Sequence, residues 1–193
     1  MELQALKREL AAFGEHNDAT HTARSERMLN ITPDTGEFLS VTIRSTGARR
    51  VLEIGTSNGY STLWLAEAAA VLDGHVTTLE FSAAKWQLAQ DTFARSGLAA
   101  RITAVHADAG AWMAAAEADA FDLVFLDADR SRYLDWWPAL RRVLRPGGLL
   151  VVDNAISHAA QMGSFEQVLR ADVDFTCALV PVGKGELLAV RAG

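Results

Sequence analysis

At 193 residues, half of them apolar, the chain is long enough for one domain with a real core and too apolar for a disordered segment. Its net charge of −6 argues against a nucleic-acid partner, which selects a basic face. The single cysteine, Cys177, excludes an internal disulfide and fits a reducing compartment.

No run approaches the ~18 apolar residues of a membrane span. "MELQALKREL" is charged and amphipathic, unlike a signal peptide, so the expected location is the cytoplasm. Leu3, Leu6, Leu10 and Phe13 repeat at helical spacing, with Gly14 placed to end that helix. The polar stretch "EHNDATHTARSERMLN" reads as a loop or short irregular helix. Thr32-Pro33 reads as an N-cap with proline at the first helical position, opening a helix to about Gly47.

From there strands and helices alternate. "RVLEI", "HVTTLEF", "RITAVHA", "FDLVFLD" and "GLLVVDN" are each followed by a helical segment. The strands are almost continuously apolar, as strands covered on both faces must be. This is the βαβ pattern of an open, doubly wound sheet. Pro138 falls inside its helix and predicts a late start or a kink. "DFTCALVPVG" and "GELLAVRAG" are separated by too few residues for a crossover, so they predict a closing antiparallel hairpin. The expected fold is α/β: a Rossmann-like, mostly parallel sheet with a C-terminal antiparallel hairpin and helices on both faces. It forms a single domain, with a helical lid segment over 1–47 and a core over 48–193. Cys177, among strand neighbours, is expected to be buried and inert.

In such sheets ligands sit beyond the carboxyl ends of the strands. The first strand runs into "EIGTSNGYS", where Gly55 and Gly59 lie four apart and Ser57 stands where a dinucleotide fingerprint has its middle glycine. Glu53 just before this turn repels a pyrophosphate but suits a cationic or amino-bearing ligand. Glu80 ends the second strand, where an acid accepts both ribose hydroxyls. Ribose without pyrophosphate, plus positive charge, describes S-adenosylmethionine. The expected cofactor-binding set is Glu53, Gly55, Thr56, Ser57, Gly59, Tyr60, Ser61, Glu80, Phe81, Asp108, Ala109 and Asp127. In "ADAGAW", after the third strand, either Asp108 accepts from the adenine amino group or the Ala109 amide donates to the ring. Asp108 also reads as a helix cap.

"FDLVFLDADR" ends the fourth strand and "GLLVVDNAISH" the fifth. If those strands are neighbours, Asp127, Asp153 and Asn154 converge at one rim. Two carboxylates and an amide oxygen are hard ligands that suit Mg²⁺, Mn²⁺ or Ca²⁺ and suit zinc poorly. The competing reading is that both aspartates cap the turns that follow. Of the histidines, His158 just after this rim and His21 in the polar N-terminal stretch are candidates to line an acceptor site. Trp136 and Trp137 point about 100° apart on a helix, which sends one into the core and the other there or to a pocket or oligomer face.

These motifs together resemble the cation-dependent class I O-methyltransferases, the group of catechol and caffeoyl-CoA O-methyltransferases. The resemblance covers roughly residues 29–190. "VLEIGTSNGYSTLWLA" is similar to the family's first cofactor motif, "TTLEF" to its ribose motif, and "FDLVFLDAD" and "LRPGGLLVVDN" to its two metal motifs. "LNITPDTGEFL" resembles the segment that covers the cofactor and substrate. The resemblance implies seven strands and cofactor over the first and fourth. It implies Glu53, Gly55, Tyr60 and Ser61 at the methionine end, Glu80 at the ribose and Asp108 with Ala109 at the adenine. It further implies a divalent metal on Asp127, Asp153 and Asn154, a small hydroxylated, catechol-like acceptor, and a homodimer.

Two departures stand out. The family pattern D-x-x-K, whose lysine is the expected base, reads here Asp127-Ala128-Asp129-Arg130. Arginine does not give up its proton, so Arg130 stands as an electrostatic candidate beside Asp127 rather than a base. The proton then leaves by metal acidification alone, by Asp129 or water, or the acceptor is acidic and needs no base. Alternatively the chain is a non-catalytic or metal-independent relative that binds S-adenosylmethionine. The chain is also short at the N-terminus and before the final hairpin, the segments that shape the family's acceptor pocket. A nucleic-acid methyltransferase is disfavoured by the acidic charge and by "LDADR" after the fourth strand. A nicotinamide oxidoreductase is disfavoured by the missing glycine and by Glu53.

Overall fold

The computed structural model describes residues 2–193. The N-terminal heptad-like leucines form α1 (Leu3–Thr20), which runs on through Gly14 rather than ending there. Gly14 is needed for close packing instead: a Cβ at that position would lie 2.4 Å from Asn30 Nδ2. The helix ends at Thr20, whose hydroxyl donates to the carbonyls of His16 and Asn17. A short 3₁₀ turn, Arg24–Glu26, follows. α2 (Pro33–Thr46) starts with proline at its first turn and stops at Gly47, which takes φ +70°. Thr32 flanks the helix without capping it; its hydroxyl donates to Thr35 Oγ1 at 3.2 Å.

The core alternates β1 (Arg50–Ile54), α3 (Tyr60–Ala70), β2 (His75–Glu80), α4 (Ala83–Ser96), β3 (Ile102–His106), α5 (Ala109–Ala115), β4 (Phe121–Leu126), α6 (Tyr133–Val143), β5 (Leu144–Val152) and α7 (Ala159–Ala171), and ends with β6 (Phe175–Val180) and β7 (Glu186–Arg191). The strands form one sheet in the order β3-β2-β1-β4-β5-β7-β6. The first five strands pair in parallel, and β7 pairs antiparallel with both β5 and β6. The expected hairpin is therefore present, inserted so that β7 is the one reversed strand.

Side chains alternate across each strand, and this divides the core in two. Leu52, Ile54, Val124, Leu126 and Val152 face Met113, Trp137 and Phe165 from α5, α6 and α7. Val51, Leu123, Phe125 and Val151 face Leu6, Leu39, Leu63 and Phe93 from α1 to α4. Unbroken apolar strands are the consequence, since neither face meets water.

Pro138 lies inside α6, which begins at Tyr133, so the proline does not delay its start. Both tryptophans are buried: Trp137 packs edge-on against Phe165 and Phe175, while Trp136 lies beside Tyr133. Cys177, expected to be buried, is half-buried in β6 beside Leu169. Among the described residues no helix is long and apolar enough to cross a membrane.

α1 is fixed to α3 by a buried cation. Lys7 is 2% exposed, bonds Glu67 at 2.5 Å and sits 3.5 Å from the Trp64 ring centroid. Burial lowers the Lys7 pKa, and Glu67 partly restores it. Replacing Lys7 by Ala leaves a cavity and takes the cation from Glu67, which keeps only the Gln4 amide at 3.2 Å. We expect a loss of about 2 kcal/mol, read as a fall in Tm of roughly 4–8 °C for a chain of this length.

Candidate active site

The sheet order reverses between β1 and β4, so the crevice at their carboxyl ends is the place for a ligand. A cavity of about 570 Å³ opens there. Its floor is the β1–α3 turn. Gly55 has φ +106°, and a Cβ on it would meet the carbonyl oxygen of Asp127 at 2.0 Å. Only glycine lets the ends of β1 and β4 come this close. Gly59, at φ +86°, starts α3 where a Cβ would press on the Phe93 ring at 2.6 Å. Gly55→Ala is expected to destabilise the fold by at least ~2 kcal/mol and to abolish adenosyl-ligand binding, as measured by urea unfolding and calorimetry.

Glu80 stands at the mouth of the turn. Its Oε2 accepts from Ser57 N and its Oε1 from Ser82 N, both at 2.8 Å. Ser57, in the left-handed region at φ +49°, donates its hydroxyl to Met28 O at 2.7 Å. That bond draws the segment before α2 across the cavity. The same segment is held from the other side, where Asp18 accepts from Met28 N at 2.7 Å and Leu29 N at 3.0 Å. Lys85 donates to Arg27 O at 2.6 Å. Asp108 caps α5 by accepting from Ala111 N at 2.9 Å, and it lines the cavity with Ala109 and Phe81.

Of the candidate cofactor residues, Gly55, Thr56, Ser57, Ser61, Glu80, Phe81, Asp108, Ala109 and Asp127 line the cavity. Glu53, Gly59 and Tyr60 lie behind its wall. Glu53 is wholly buried and accepts from the hydroxyls of Ser61, Thr62 and Thr78. Burial pushes its pKa from 4.5 to about 7, against the pull of those donors. A carboxyl whose pKa is raised on folding stabilises most below its unfolded value and loses that contribution as pH rises through the folded value. Between about pH 4.5 and 7 the wild type should therefore lose stability relative to Glu53→Gln. The limit is about 1.4 kcal/mol per pH unit, read by urea unfolding at pH 5 and 7.5.

The β4 and β5 ends bring the oxygen ligands together. Asp127 N donates to Ile54 O and Asp153 N to Leu126 O, which extends the ladder past both strands. Asn154, held at φ +68°, reaches between the two carboxylates. Its amide nitrogen is 3.1 Å from Asp127 Oδ1 and 2.8 Å from Asp153 Oδ2. Burial, then the charge on Asp153, raises the Asp127 pKa, while Arg130 and Lys184 pull it back. Two carboxylates brought together in a partly dry site favour a cation between them. A half-turn of the Asn154 amide, indistinguishable in shape, presents its oxygen to the same point. The donor set fits a hard divalent ion.

Several residues of the site carried no signal in the sequence. Glu186, wholly buried at the start of β7, accepts from Thr35 Oγ1 at 3.2 Å. Burial and the charge on Asp153 raise its pKa, and its Oε2 is buried without a hydrogen-bond partner. Arg24, Lys85 and Lys184 line the cavity from distant segments, and His158 lines it with them. Arg130 also lines it and is buried. Asp129 is exposed and accepts from Ser131, which lowers its pKa.

A family model described as O-methyltransferase matches residues 7–192. A catechol O-methyltransferase of Mycobacterium tuberculosis is 37% identical over 150 residues, 76% of this chain and 64% of that protein. One of Niastella koreensis is 34% identical over 131 residues, 66% of this chain and 59% of that protein. The match thus spans less than two thirds of either relative. Among solved structures, cofactor-bound Rv0187 from MTB superposes with a TM-score of 0.80 at 29% identity, covering 94% of this chain and 88% of that one. The O-methyltransferase TomG from Streptomyces achromogenes, solved with SAM and involved in tomaymycin synthesis, gives 0.77 at 25% identity over the whole of both chains.

Proposed function

This chain belongs to the O-methyltransferase family, and from that membership we propose that it moves the methyl group of S-adenosylmethionine to a hydroxyl of a small, catechol-like acceptor, assisted by a divalent cation. The observation that carries the reading is one cavity that joins the Gly55 turn and Glu80 to Asp127 and Asn154, with the buried Asp153 bonded to Asn154 behind them. The names and bound ligands of the relatives support it.

In this reading the Gly55 turn takes the methionine end and Glu80 the ribose diol, both preset by bonds that exist without ligand. Asp127, Asp153 and Asn154 would hold the cation, which would supply Lewis acidity toward the acceptor hydroxyl. The transfer breaks the S–CH₃ bond and forms O–CH₃, and the hydroxyl proton leaves to water. The Arg130 guanidinium lines the same cavity and adds positive charge to the space where the acceptor would sit. Asp129 is a weak proton acceptor, engaged by Ser131. Alignment in a closed crevice supplies much of the remaining acceleration. The segment tied to Ser57 and Asp18 makes a cover for the ligands.

Methyl transfer from labelled S-adenosylmethionine to catechol, with Mg²⁺ or with EDTA, tests the reading. Transfer that needs the ion supports it. Transfer unaffected by EDTA contradicts metal assistance. Arg130 in place of lysine favours a second reading, ligand binding without transfer, and absence of turnover across a phenol and catechol panel would select it.

A further inference from the structure

Arg130 is the most unusual charge in the molecule. It is 9% exposed, lines the cavity, and its Nε and Nη1 have no hydrogen-bond partner. A buried guanidinium without an acceptor is costly, and such donors are ordinarily paired. Elsewhere the arginines find acids: Arg141 bonds Asp172 and Asp174, Arg145 bonds Asp122, and Arg191 bonds Asp119. Arg130 makes no ion pair with Asp127, although that charge is near enough to be felt. Arg24 and Lys184 line the same cavity, and their side chains make no ion pair or hydrogen bond among the described residues. His158 lines the cavity with them, so three cationic side chains share one cavity. In a chain of net charge −6, this is a local positive well beside an acidic rim.

We propose that the acceptor carries an anionic substituent, a carboxylate on the hydroxylated ring, and that Arg130 receives it with Arg24 and Lys184 flanking. This rests on the methyl-transfer reading above and names the substrate class for it. The planar guanidinium fork matches a carboxylate's two oxygens. An acidic ring substituent places the acceptor by charge at one end, which leaves its hydroxyls toward Asp127.

The test compares 3,4-dihydroxybenzoate with its uncharged isostere 3,4-dihydroxybenzamide. Both are titrated calorimetrically into the protein loaded with S-adenosylhomocysteine and Mg²⁺, and both are assayed for methylation. The acid should bind at least about tenfold tighter, the size of one charge-assisted contact. Arg130→Gln should bring the ratio of affinities close to one, Arg130→Lys should keep only part of it because a point charge cannot form the fork, and Lys184→Gln should reduce it partly. The wild-type ratio needs no variant to fold. Equal affinities, binding of neither compound, or a preference untouched by both Arg130→Gln and Lys184→Gln would overturn the proposal. Carboxylate-selective binding without methylation would sink the transfer reading and leave this one standing. Methylation of both compounds with equal kcat/KM would do the reverse.

Discussion

Asp127→Ala should lower cation-dependent methyl transfer by about 10³-fold or more while changing the Kd for S-adenosylhomocysteine less than about threefold. The division follows from where the residue's contacts lie. The Asp127 carboxylate is bridged by Asn154 to Asp153, whereas the turn that faces the adenosyl group is built on Gly55, Ser57 and Glu80. Removing the side chain leaves the backbone contact that matters to the turn, Asp127 N to Ile54 O at 3.0 Å. It also removes one of two repelling carboxylates, so the fold should not suffer. Parallel loss of cofactor affinity and activity would show that the rim and the turn are not separable.

Glu80→Gln should weaken S-adenosylhomocysteine binding by about a hundredfold, some 3 kcal/mol, because hydrogen bonds to a charged acceptor contribute about 1.5–3 kcal/mol each. Both oxygens of Glu80 already accept backbone amides, from Ser57 and Ser82. Glutamine turns an NH₂ toward one of these donors, so the variant disturbs the preset turn as well as the diol contact. Calorimetry reads the affinity, and thermal unfolding without ligand separates the two effects. A Kd within threefold of wild type would mean that Glu80 shapes the turn and touches no ribose.

The doubly wound core is legible because its signals are local: apolar runs of strand length, helical spacing between them, and a final pair of runs too close for a crossover. The rim is legible for the same reason, since a residue that ends a parallel strand ends at a known edge. Asp127 and Asp153 meet because β4 and β5 are neighbours. What escapes the sequence is tertiary. Gly14 looks like a stop but is a packing contact with Asn30. Arg24, Lys85 and the pair Lys184 and Glu186 come from three separate segments, and nothing in their local sequence marks them as neighbours of one site. Ser57 looks like a substituted glycine, yet its hydroxyl on Met28 O is what draws the N-terminal segment across the crevice.

The central claim is that the β4 and β5 ends form a metal site inside a methyl-transfer crevice. Titration of Mn²⁺ into the protein with S-adenosylhomocysteine, followed by electron paramagnetic resonance of the free ion, tests it most directly. The expected result is one site per chain, lost in Asp153→Ala. No bound ion at millimolar Mn²⁺, with or without 3,4-dihydroxybenzoate, would contradict the claim and make the Asp127, Asp153 and Asn154 cluster a structural feature of the sheet edge.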